Sequence, residues 1–136
     1  MPTQPNPKNP PHRIVGIDPG SLTTGFGVID CAGPRRHYVA SGIIRLKSKP
    51  LPERLATIAS AITDIMAKYS PDCAAVEQVF FARDPRAALV LGQARGAAIV
   101  ALVQAGLPVA EYAARRIKQT VVGSGRASKE QVQFMV

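Results

Sequence analysis

The chain changes rhythm several times between apolar and polar residues, and each change marks an element. Residues 13–17 form a short apolar run and residues 24–29 a second. Between them lies "DPGSLT", whose Pro19-Gly20 pair suits the middle of a type II turn. A third strand over residues 37–46 would complete an antiparallel opening. The period then lengthens: Leu55, Ile58, Ile62, Ile65 and Tyr69 recur at steps of three and four, an amphipathic helix over 51–69 that Pro71 closes. "CAAVEQVF", starting at Cys73, reads as a short buried strand with an acid at its edge. Asp84-Pro85 then resets the chain into an Ala-rich helix over 85–105, ended by "GLP". Residues 109–113, "VAEYA", form a fifth strand. A basic stretch follows, then a last helix opening at Ser128, where Ser128 and Gln131 have the spacing of a capping box.

Three antiparallel strands followed by strand–helix–strand units predict an α/β fold. The expected architecture is a mixed five-stranded sheet with helices on its faces, because parallel neighbours need crossovers and the two long helices supply them. No internal repeat interrupts this order.

Composition narrows the partners. The chain has 136 residues, enough for one domain with a single substantial core. Apolar residues make up 46%, so global disorder is not expected. Seventeen Lys and Arg against nine Asp and Glu give a net charge of +8, which suits a polyanion, nucleic acid first and an anionic membrane surface second. No run of some 18 apolar residues is present, so no membrane span is expected. The leader, residues 1–12, carries five prolines and no apolar core; it reads as a disordered arm before a domain at 13–136. Cys31 and Cys73 have neither metal-ligand spacing nor an activating base, which points to a reduced, cytoplasmic protein.

Two acids stand at predicted strand ends, Asp18 and Glu77. If their strands are parallel neighbours, the carboxylates converge; like charges so close either share a proton or bind a divalent cation, and hard oxygen donors favour Mg²⁺ or Mn²⁺. A plain turn at Asp18 and a solvated strand end at Glu77 fit the same residues about equally well. Gly92 and Gly96, four apart on one helix face, would allow tight helix packing, and Gln93 and Arg95 either meet a partner or are solvated. Arg115, Arg116, Lys118, Arg126 and Lys129 occur without an intervening acid, around a Gly-Ser-Gly loop and a helix start. Such a cluster tilts from a solvated charge run toward phosphate binding. Of Phe80 and Phe81, one suits the core and one suits stacking on a base. His12 and His37 show no ligand spacing.

With these residues in view, "GIDPGSLTTGFGVI", "AAVEQVFFARDPRAALVLGQARGAAIVA" and "EYAARRIKQTVVGSGRASKEQVQFMV" resemble the RuvC family of Holliday junction resolvases, in family order over nearly everything after His12. The resemblance implies an RNase H-like fold. It also implies a homodimer that resolves four-way junction DNA by paired, symmetric, Mg²⁺-dependent nicks (Mn²⁺ substituting), in recombination and repair, together with the branch-migration proteins RuvA and RuvB. By motif position Asp18 and Glu77 match catalytic, metal-binding acids, and Phe80 the aromatic that stacks on junction bases. Lys118 and Lys129 match lysines near the scissile phosphate and DNA backbone; Arg115 and Arg126 join the DNA-binding set through their basic stretch. The family completes its site with two further aspartates on a C-terminal helix, whereas Glu130 is the last acid here. The resemblance therefore implies a C-terminally truncated member without its final helix.

Two other classes stay open. A junction-binding module without cleavage fits a chain carrying half the carboxylates. An ATP-binding domain of the actin and Hsp70 type shares a "GIDPGS…TG" loop, but the later motifs do not follow that pattern.

Overall fold

The computed structural model describes residues 12–78 and 84–112. Their elements run β1 (His12–Asp18), β2 (Thr23–Ala32), β3 (Arg35–Arg45), α1 (Leu51–Tyr69), β4 (Cys73–Glu77), α2 (Pro85–Gln104) and β5 (Val109–Tyr112). They form one five-stranded sheet in the order β3-β2-β1-β4-β5. β1 lies at its centre, antiparallel to β2 and parallel to β4; β2–β3 is antiparallel and β4–β5 parallel.

Local chemistry accounts for most boundaries. β2 and β3 are joined through Gly33-Pro34, with Gly33 at φ +60°, the conformation that a tight two-residue hairpin requires at its first position. β3 carries a bulge where the register slips between Val28 and Ile29 of its partner. Pro52 sits in the first turn of α1, and Ser70, at φ 49°, closes the helix by donating its N–H to the Met66 carbonyl. Asp84 caps α2 by accepting from the Arg86 N–H. At the far end Gly106 (φ +86°) donates to the Val103 carbonyl and Leu107 to that of Leu102, the paired bonds of a Schellman stop.

The core fills the space between one sheet face and the two helices. Val15, Ile17, Val28, Ile44 and Val76 from the sheet meet Ile58 and Ile62 of α1 and Ala98 and Leu102 of α2. Both crossovers, β3 to β4 and β4 to β5, step the same way across the sheet, and right-handed connections of that kind place both helices on the same side. The two described helices thus share one face of the sheet.

Arg13 ties the start of β1 to this layer. Its Nε and Nη2 donate to both carboxylate oxygens of Asp30 at 2.8 and 3.0 Å, and its Nη1 donates to the Tyr69 carbonyl at the end of α1. Its main chain exchanges bonds with Asp72, 2.8 Å to the carboxylate and 2.7 Å from the Asp72 N–H.

Four sequence expectations change. β1 begins at His12, one residue inside the expected arm; residues 1–11 lie outside the described part, as do the basic stretch and the Ser128 helix. β4 ends at Glu77, with Gln78 already outside the strand, and Val79 and Phe80 lie outside the described residues. Pro19-Gly20 is not the centre of a type II turn, because Gly20 lacks the positive φ such a turn demands. Gly20 is required by closeness instead: a Cβ there would fall on the Thr23 carbonyl oxygen. Gly92 and Gly96 are not used for tight packing among the described residues, since a Cβ on either would meet nothing within 4 Å.

Candidate active site

Asp18 is the last residue of β1 and Glu77 the last of β4. The register pairs Ile17 with Val76, so the two acids are the next residues along adjacent parallel strands. Neighbouring strands lie about 5 Å apart, which brings the two side chains together at one end of the sheet. Ile17 and Val76 are buried under the helices, and strand alternation puts Asp18 and Glu77 on the opposite face. Around them that face is paved with small residues: Gly16 and Ala75 precede the acids, Gly25 sits across from Asp18, and Gly27 across from Gly16. Both acids are half-buried. The sequence condition that strands one and four are parallel neighbours is met, and Asp18 and Glu77 end those two strands.

The loop after Asp18 is held from two sides. Thr24, fully buried, accepts from the Gly20 N–H and donates to the Gly20 carbonyl, each at 3.3 Å. On the other side Leu46 N–H donates to the Leu22 carbonyl at 2.9 Å, and Arg54 reaches the Ser21 carbonyl at 3.4 Å. Asp18 is therefore presented by a loop with fixed ends.

The end of β4 is supported by β5 and α2. The Gln78 N–H donates to the Tyr112 carbonyl at 2.7 Å, continuing the pairing one residue past the strand. Arg95 of α2 donates from Nε to the Glu77 carbonyl at 3.3 Å and pairs through Nη2 with the Glu111 carboxylate at 2.8 Å. Sequence reasoning left Arg95 undecided between partner and solvent. The available signal was a cation, Arg95, amid the apolar residues of the helix and an acid, Glu111, in the short apolar strand that follows it.

Among the described residues no three His, Cys, Asp or Glu side chains cluster as metal ligands. The Asp18–Glu77 pair still fits Mg²⁺, which takes one or two carboxylates and keeps several waters. His12 and His37 lie away from the acids, at the start of β1 and on β3. Cys31 and Cys73 are free thiols, pushed above the usual thiol range by burial. Phe80, Phe81, Arg115, Lys118, Arg126 and Lys129 lie outside the described residues.

A mixed five-stranded sheet in this order, with acids at the carboxyl ends of two adjacent central strands, defines an RNase H-like domain. The family described as crossover junction endodeoxyribonuclease RuvC matches residues 14–136. The crossover junction endodeoxyribonuclease RuvC of Chromobacterium violaceum is 59% identical over 125 residues, covering 91% of this chain and 71% of the relative. That of Janthinobacterium sp. is 56% identical over 124 residues, covering 91% of this chain and 69% of the relative. The chain belongs to the RuvC family. Among solved structures, Thermus thermophilus RuvC in complex with a Holliday junction substrate superposes with a TM-score of 0.74 at 32% identity, over 89% of this chain and 74% of that one. The yeast mitochondrial Holliday junction resolvase Ydc2, at 12% identity and a TM-score of 0.55 over 83% of this chain and 59% of that one, shares the fold.

Proposed function

We propose that this chain carries the activity of its family, cutting four-way DNA junctions by paired, symmetric nicks in recombination and repair. The observation that carries this reading is the placement of Asp18 and Glu77 side by side on a floor of small residues. That floor leaves room for a phosphodiester to approach the carboxylates, which a large side chain at Gly25 or Ala75 would deny. Asp18 and Glu77 would hold Mg²⁺, with Mn²⁺ able to substitute. A divalent ion supplies an activated water and neutralises charge that builds on the phosphate. Lys118 and Lys129 would offset charge near the scissile phosphate, Arg115 and Arg126 would hold the backbone, and Phe80 would stack on a junction base. RuvA and RuvB would act with the protein in the cytoplasm, where free Cys31 and Cys73 are at home.

Paired nicks call for a homodimer, and α2 offers a face for it. Leu89, Val100 and Val103 are more than half exposed, and beside them Gly92 and Gly96 leave open space. A second copy crossing at the glycines would bury this face twice about one axis. By length and composition alone α2 could also cross a membrane. Its Ala94–Ala98–Leu102 stripe is already committed to the core and Arg95 to an ion pair, which favours a partner helix over lipid.

The deciding experiment incubates labelled four-way junction with the protein and Mg²⁺, scoring nicks and gel shift separately. Asp18→Asn should keep the shift and lose the nicks. Full cutting by Asp18→Asn would refute the assignment. A wild-type shift without nicks would favour the junction-binding module.

A further inference from the structure

Glu77 ends β4, and β5 extends the pairing one residue beyond it, through the Gln78 N–H and Tyr112 carbonyl. A carboxylate on such an end is only as well placed as the peptide that carries it. Ligand geometry tolerates about 0.5 Å and 10–20° before function suffers.

We propose that Arg95 is a positioning residue that fixes the Glu77 main chain from the helix side of the sheet while the Glu77 carboxylate works on the other. This rests on the reading of Glu77 as a metal ligand. Four observations carry it. Ala94 and Ala98 are buried beside Arg95, so α2 sits close to the sheet and the origin of the Arg95 side chain is set. The guanidinium then reaches two acceptors on two strands, the Glu77 carbonyl on β4 and the Glu111 carboxylate on β5. Glu111 is the register partner of Val76, the residue before Glu77, so the fork spans the two strand ends where they meet. Arg95 is itself only 20% exposed, whereas a solvated cation on this helix would stand clear of the sheet.

The choice of arginine follows from this geometry. A planar fork satisfies two acceptors in a fixed relation, while a lysine ammonium would keep the Glu111 pair and leave the Glu77 carbonyl poorly held. Partners that hold a ligand in place typically contribute 10–100-fold to metal affinity. Arg95 holds the main chain of its ligand, so the lower end of that range applies.

The test measures two properties of this chain: Mn²⁺ binding by calorimetry, and amide hydrogen exchange at Gln78 by NMR. Arg95→Gln and Glu111→Ala should each weaken Mn²⁺ binding about tenfold. Both should speed exchange at Gln78 while Val15 and Val28 keep wild-type rates. Arg95→Lys, the variant most certain to fold, should fall between these and wild type. Unchanged Mn²⁺ affinity in Arg95→Gln, beside a clear loss in Asp18→Asn and Glu77→Gln, would overturn the positioning role and leave the ligand reading standing. Unchanged affinity in Asp18→Asn and Glu77→Gln would overturn both. Uniformly faster exchange across the sheet would reduce Arg95 to general stabilisation and overturn the proposal.

Discussion

Gly20→Ala tests how Asp18 is presented. Gly20 is not in the left-handed region, so alanine meets no backbone penalty there. The obstacle is the Thr23 carbonyl oxygen, which occupies the place of the new Cβ. That oxygen cannot swing aside freely, because Thr23 is paired with Arg45 at the start of β2. The loop must shift instead, straining both bonds between Gly20 and the buried Thr24 hydroxyl. Overpacking of this kind costs about 1–3 kcal/mol, and two long hydrogen bonds add about 1 kcal/mol together. A loss of about 2–4 kcal/mol is expected in urea unfolding at 25 °C, with weakened Mn²⁺ binding because the shifting loop begins at Asp18. Wild-type stability in Gly20→Ala would refute the claim that close approach, and not turn conformation, selects this glycine.

Acid should act through Asp30, whose carboxyl is held below the usual carboxylate range, first by the Arg13 hydrogen bonds and partly against burial. That stabilisation is complete above the ordinary carboxylate pKa of about 4 and is lost as pH falls through the lower folded value. Asp30→Asn should lower Tm at pH 7 and flatten the acid limb of a Tm–pH series; an identical acid limb would count against the pair. Ile62→Ala, at a fully buried core position, should cost about 2–5 kcal/mol in the same urea assay through the cavity it leaves. Cys31 and Cys73 should react with a thiol reagent at pH 7 more slowly than free cysteine, since burial raises both; labelling at the free rate would contradict this.

The placement of Asp18 explains why the carboxylate pair supports several readings until its surroundings are known. An acid before Pro-Gly is ordinary turn chemistry, and the same residues serve a metal once a second acid stands beside them. The strand pairing supplies that neighbour, and family membership gives the pair its chemical context.

Helix α1 was legible from the order of residues alone. A three-and-four rhythm bounded by prolines marks residues 51–69, and the helix observed is Leu51–Tyr69. The strands, the helix start at Asp84-Pro85 and the presence of acids at two strand ends were legible for the same reason: period and turn chemistry are properties of neighbours in the chain. Tertiary structure alone decided what depends on distant residues. It placed β1 between β2 and β4, set both described helices on one face, and gave Arg95 the end of β4 to hold. It also replaced a turn at Gly20 with a close contact and left Gly92 and Gly96 facing open space. Local pattern records which side of an element avoids water, whereas register and close approach are settled only when separate elements meet.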